Sequence, residues 1–299
     1  MKINSHHEAP RSFTGYLSIF AAAACWGASG IFVKFIAENE AVSAIALAFW
    51  RDFTTFICLL FLGLAAIPDK IRIRRTDWRY VTGMGACLGV FHIVYNLGVV
   101  LNGAAVTTIQ QAIMPAIVTV AARYLWQEPL TRRKILAVVL AFAGAVLVAG
   151  PTDIQSSEVT PAGLISGLSV PFCYALWTLF VKRVRMQYDS LVVLIFAFGI
   201  ASALLLPLQF FVPQPWPVKP TTWLWFAGLI GLSTLSAFFL YAVGIGRLQA
   251  GIASILLMSE IVFAVIYAYI LLGERLAMAQ ITGSVLVVSG VLLLLRKYA

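Results

Sequence analysis

The sequence predicts an all-α integral membrane fold, with ten transmembrane helices in two inverted five-helix repeats around a central cavity. Three observations carry this. First, of 299 residues 61% are hydrophobic and 11% charged, with a mean hydropathy of +0.94. A water-soluble globule of that composition would expose apolar patches that drive association. Second, the chain contains half of itself twice. Tyr95-x-x-Gly98, Glu128-x-Leu130 and Gly144 recur as Tyr241-x-x-Gly244, Glu274-x-Leu276 and Gly290 at a constant offset of 146. Upstream, Cys25 and Phe32-Val33-Lys34 return as Cys173 and Phe180-Val181-Lys182 at an offset of 148. Third, the basic residues are sorted by side.

About 20 apolar residues suffice to cross a bilayer, and the first repeat, 1–150, offers five such spans. Span 1 is 14–36. Its Ala22-Ala23-Ala24 before Cys25 looks like a cleavage site, but the apolar run continues to Val33, too long for a signal core, so the segment is retained. Span 2, 41–67, ends at the basic connection Pro68–Asp77. Span 3, 78–101, carries Gly85-x-x-x-Gly89, which lets a neighbouring helix approach closely. Only Asn102-Gly103 separates it from span 4, 104–126, which contains Pro115. Span 5 is 133–149. The second repeat, 151–299, follows a polar connection from Gly150-Pro151 to Thr160-Pro161. Span 6, 161–181, holds Gly163-x-x-x-Gly167 and Pro171, and span 7, 190–212, holds Pro207. After the proline-rich stretch Pro213–Thr221 come spans 8, 9 and 10, at 222–246, 250–272 and 277–295. The junctions 3/4 and 8/9 are the shortest, and one long kinked helix at either would lower the count.

With the N-terminus inside, seventeen Lys and Arg fall on the inner side and three, Lys34, Lys219 and Arg275, on the outer. That is the positive-inside pattern, and it places both termini in the cytoplasm. The net charge of +9 is therefore a topology signal spread over short loops, not a nucleic-acid face. Five crossings per repeat oblige the second half to start on the opposite side. Inverted repeats of this kind build a midplane site between two halves in many secondary carriers. The four cysteines all lie inside spans without a Cys-x-x-Cys or a nearby His, so no metal, redox group or other cofactor is expected. His92 is the one histidine within a span, which speaks against an intramembrane enzyme.

Polar groups at membrane depth are the best pointers to a site. Span 2 carries Arg51-Asp52, whose side chains diverge by roughly 100° on a helix, so each needs its own partner. Span 9 carries Glu260. Arg51 and Glu260 are assigned mainly to holding the halves in register as a charge pair, with His92 and Pro115 as further gating candidates. His92, Tyr95 and Asn96 share one face of span 3; Thr107, Thr108 and Gln111 share one face of span 4. Pro115 removes the donor to the Gln111 carbonyl. Asn96, Gln111 and that carbonyl offer neutral hydrogen bonds to a substrate, and Trp26, Tyr95, Tyr174, Trp177 and Tyr241 an aromatic wall.

Trp26-Gly27 with Lys34, Phe49-Trp50-Arg51 and Leu272-Gly273-Glu274-Arg275-Leu276, set within two five-helix repeats, resemble the drug/metabolite transporter superfamily, in its double EamA-domain branch. Within it the chain is most similar to the YddG-type aromatic amino-acid exporters. The resemblance implies an inner-membrane, monomeric carrier exporting amino acids with aromatic and other apolar side chains by alternating access. The family's Glu-Pro pair is divided here between Met114-Pro115 and Glu260-Ile261. The nearest alternative is a proton-coupled exporter of lipophilic cations, kept alive by Glu260 and Asp52 although span 1 has no carboxylate.

Overall fold

A computed structural model describes residues 13–40, 42–150, 161–215, 218–273 and 275–295. The 151–160 connection, the tail with His6 and His7, and Glu274 of the repeat lie outside the described residues. Everything regular among the described residues is helical: α1 (Phe13–Gly27), α2 (Ser29–Asn39), α3 (Ala44–Ala66), α4 (Trp78–Gln111), α5 (Met114–Trp126), α6 (Arg132–Ala149), α7 (Pro161–Arg185), α8 (Ser190–Leu205), α9 (Pro220–Ile230), α10 (Ala237–Arg247), α11 (Ala250–Leu257), α12 (Ser259–Leu272) and α13 (Met278–Leu295). Eight segments among the described residues are long and apolar enough to cross a membrane. Spans 4 and 5 are absent from that set for physical reasons. Unbroken, α5 is 13 residues long, roughly 20 Å against a hydrocarbon core of about 30 Å. The 18 residues of α6 begin with three cations, Arg132-Arg133-Lys134.

The outer surface is apolar, with Phe210 85% exposed and Phe61 70%, as expected where lipid replaces water as the solvent. Inside, α4 packs on α7 and α8, α1 on α10 and α12, α3 on α8, α5 on α11, and α6 on α13. The last contact is a glycine seam. A methyl group at Gly144 would stand 2.5 Å from the Gly283 carbonyl oxygen, and one at Gly290 would stand 2.8 Å from that of Ala137. Gly283 also abuts Val148 while Gly290 abuts Ala141, so the two helices run antiparallel. Ala137 and Gly283 are themselves related by the 146 offset, which makes the contact reciprocal. Close backbone approach of this kind supplies packing energy that leucine-on-leucine contact in lipid does not.

Several expected spans are interrupted. Span 1 bends at Ala28, between α1 and α2. The expected loop at Asn102-Gly103 is instead helical backbone within α4. Yet a methyl at Gly98 would lie 3.2 Å from Thr107 Cγ2, and a straight helix holds those residues roughly 13 Å apart, so the axis bends back on itself between them. Pro115 does not kink a continuous helix: the turn falls at Ala112-Ile113, and the proline occupies the first turn of α5, where a missing N–H costs nothing. The same turn recurs 146 residues later at Met258, between α11 and α12, without a proline. Pro207 likewise ends α8 and opens a 3₁₀ stretch, Leu206–Phe211. Between α9 and α10 runs a π-helical segment, Gly231–Ser236. Both α5 and α12 end in a left-handed residue, Gln127 (φ 56°) and Gly273 (φ 67°), again one repeat apart.

Candidate functional site

The interruptions converge on the charges. α3 carries Arg51 to mid-depth, where its Nε donates to Thr234 Oγ1 at 3.1 Å. Thr234 is displayed by the π segment, and its own hydroxyl donates to the Leu229 carbonyl oxygen at 2.8 Å. Ser233, alongside, donates to the Cys25 carbonyl oxygen at 2.8 Å and ties the same turn to α1. Such π turns widen a helix locally and mark functional positions often. Glu260 stands in the first turn of α12, where the unpaired N–H groups favour an anion. Arg51 interacts electrostatically with Asp52, Tyr95 and Glu260, yet no ion pair closes between Arg51 and Glu260 among the described residues. The strut expected from sequence is not formed in this structure. Both side chains are half-buried, as are Tyr95, Asn96 and Gln111.

The other expected aromatics are packed more deeply. Tyr95 meets Phe91 (ring centroids 5.7 Å apart), Phe91 meets Tyr174 (4.7 Å), and Tyr174 meets Trp177 (5.7 Å). Trp177 stacks on Tyr241 at 5.2 Å, and Tyr241 meets Trp26 at 5.3 Å. Phe238 fills the centre, 4.8 Å from Trp26 and 5.4 Å from Trp177. Tyr174, Trp177 and Tyr241 are 4%, 1% and 0% exposed, so all three stand behind half-buried Tyr95 rather than on an open surface. Tyr241 donates to Thr178 Oγ1 at 3.1 Å, whereas Trp177 Nε1 has no hydrogen-bond partner among the described residues. Asn96 is committed in part, its Nδ2 donating to the Ala44 carbonyl oxygen at 2.8 Å. Phe91, Phe238 and Thr234 went unnoticed in the sequence; for Thr234 the polar run Ser233-Thr234-x-Ser236 inside an apolar span was the available signal.

Asp52 finds its own partner. Its Oδ2 lies 2.8 Å from His92 Nδ1, with the two residues 0% and 4% exposed. At one end of the bundle Glu128 bridges the halves: its carboxylate accepts from the backbone N–H groups of Ala250 (2.7 Å) and Gly251 (3.2 Å), at the start of α11. Lys134 Nζ sits 3.5 Å from it and donates to Gln249 Oε1 at 2.8 Å. Lys182 donates to the carbonyl oxygens of Ile245 and Leu248 in the same turn. At the opposite end Glu40 accepts from Lys219 N (2.7 Å) and Thr222 Oγ1 (3.1 Å).

Two successive segments, residues 13–150 and 161–296, match the EamA-like transporter family. The chain belongs to this family. It is a multi-pass membrane transporter of the drug/metabolite superfamily with two EamA domains. Among its relatives, the uncharacterized inner membrane transporter YicL of Salmonella typhimurium is 26% identical, over 94% of each chain. An uncharacterized transporter of Archaeoglobus fulgidus is 25% identical over 91% of this chain and 95% of its own. The riboflavin transporter ImpX of Fusobacterium nucleatum is 25% identical over 93% of this chain and 96% of its own. A solved crystal structure superposes with a TM-score of 0.81 at 19% identity, covering 95% of this EamA chain and 99% of its own, a likeness of fold.

Proposed function

We propose that this EamA transporter exports amino acids with aromatic and other large apolar side chains across the inner membrane by alternating access. One observation carries the reading. Arg51 and Glu260, opposite in sign and contributed by different repeats, lie half-buried within the bundle without closing on each other. A charge held at membrane depth costs at least about 2.5 kcal/mol on insertion scales. Two such charges kept apart suit a ligand that brings a complementary pair, and an amino acid brings a carboxylate and an ammonium. The carboxylate takes the guanidinium, and the ammonium takes Glu260. Tyr95, Asn96 and Gln111 line the route, and the aromatic chain behind them accepts a ring when side chains part.

Ten crossings, with both termini cytoplasmic, complete the proposal. The reciprocal antiparallel packing of α6 on α13, the fifth helix of each repeat, supports the inverted arrangement, because a two-fold axis in the membrane plane turns one into the other. The closed network around Glu128 supports a barrier at the cytoplasmic end. The protein acts as a monomer, without a cofactor. Counterflow in liposomes holding only this protein tests the substrate. Uptake of labelled phenylalanine or tryptophan is expected, cut by about tenfold or more in Arg51→Gln and in Glu260→Gln. Movement of quaternary ammonium dyes or of riboflavin, with no amino acid moved, would overturn it.

A further inference from the structure

The buried pair Asp52–His92 has no place in the zwitterion site. Both residues come from the first repeat, one on α3 and one on α4, and Asp52 lies roughly 12 Å along α3 from Ala44. The pair makes one contact, Oδ2 to Nδ1 at 2.8 Å. The other two polar atoms, Asp52 Oδ1 and His92 Nε2, are buried and have no hydrogen-bond partner among the described residues. A structural brace would satisfy such atoms, since each orphan at this depth forfeits hydration for nothing. What the arrangement leaves open is a lone pair on each residue, which is what a proton needs.

We infer that Asp52 and His92 form a proton-binding site that links transport to the pH gradient. The inference rests on the transporter reading above. In the unloaded state, neutral His92 donates its Nδ1–H to the Asp52 carboxylate and keeps a bare lone pair at Nε2. An arriving proton bonds to Nε2 and yields an imidazolium–carboxylate pair, so the formal charge of the pair rises from −1 to 0. No other bond is made or broken, and the same proton leaves from Nε2. Arg51, the next residue to Asp52, feels that change directly, because it interacts with Asp52 and Glu260 together. Loading sets an imidazolium beside the Asp52 carboxylate, so the pair next to the guanidinium becomes neutral overall; this alters how Arg51 holds a substrate carboxylate, which is the coupling.

Among the described residues, the titratable groups on the surrounding elements near this depth are Arg51 and Cys58 on α3, Cys25 on α1, Cys87 and Tyr95 on α4, Cys173 and Tyr174 on α7, Tyr241 on α10 and Glu260 on α12. α8, α9 and the π segment, which pack against α3, contribute none. Histidine is the side chain among these that ordinarily exchanges its proton near neutrality. His92 also touches the aromatic chain, its ring 6.3 Å from that of Phe238, so its charge is felt by the wall that must part.

The chain has three histidines, two of them in the N-terminal tail. Replacing His6 and His7 by glutamine leaves His92 as the sole reporter for magnetic resonance of isotope-labelled histidine. The His92 ring resonances are expected to report gain of a proton at Nε2 as the pH falls, and to respond differently in Asp52→Asn. In proteoliposomes, an imposed pH gradient should change the transport rate, and His92→Gln should cut that response about tenfold while counterflow falls by less than about threefold. A histidine that keeps one protonation state at every pH tested would overturn the inference. So would transport indifferent to the gradient. The resonance experiment needs no substrate, so failure to move amino acids would sink the substrate reading and leave this one standing on its titration.

Discussion

Trp177 lies in the middle of the aromatic chain with a buried indole N–H that meets no acceptor among the described residues. An orphan of that kind costs about 1–3 kcal/mol, and an acceptor on a substrate ring or a water entering when the wall parts would recover it. Truncation to alanine is a poor probe, because emptying a packed indole site destabilises a core by about 3–5 kcal/mol. Trp177→Phe keeps most of the ring and deletes the donor. Its thermal midpoint should drop by a few degrees, while the ratio of tryptophan to phenylalanine counterflow changes by about threefold or more. An unchanged ratio would reduce Trp177 to packing. Tyr95→Ala, at the half-buried front of the chain, should instead lower counterflow of all substrates together. Residue types were legible: polar and aromatic side chains at helical spacing marked the depth at which the proposed site lies. Their partners were not legible. That Asp52 takes His92, and Arg51 takes Thr234, depends on the rotation of α3 against two other helices, which no local spacing encodes.

At the scale of elements, the spans that matter are those that break. Spans 4 and 9 turn at repeat-related positions, Ala112-Ile113 and Met258, and only the first has a proline beside it. The turn is therefore made by packing of the surrounding helices, and the proline fits a conformation already present. Pro115→Ala should keep the break and lower counterflow by less than about threefold. A loss of tenfold or more would show that the ring itself sets the turn. Sequence showed these spans as apolar lengths and could not place their breaks, since Met258 is no helix-stopping residue and a glycine such as Gly231, at the start of the π turn, is common inside membrane helices. The junction at Asn102-Gly103 erred the other way: two residues that favour turns in water are held in helix here, because every backbone group at membrane depth must find a partner.

For the molecule as a whole, the proposed orientation rests on the sorting of charge and is open to direct measurement. Single cysteines in a variant without Cys25, Cys58, Cys87 and Cys173 give the test. Those in 213–215 should react with an impermeant maleimide from outside, and those at 70–76 should not. Labelling of the 70–76 loop from outside would reverse the topology and with it the direction of the proposed export. The two-fold repeat was readable because it is written as constant offsets. The way the halves interlock was not, because the Gly144–Gly283 and Gly290–Ala137 contacts involve small residues that look unremarkable one at a time.

That seam has a consequence during synthesis. Gly144 and its partner helix are made far apart in time, since 146 residues separate Gly144 from Gly290. At about 5–20 residues per second, the ribosome needs roughly 7–30 s to cover that stretch. Throughout this interval α6 faces lipid along a groove shaped for another backbone, with no helix to fill it. A nascent chain stalled at residue 150 therefore carries the very surface that, in the finished protein, meets an antiparallel copy of itself in sequence terms. Two stalled chains inserted in opposite orientations would present each other with that copy.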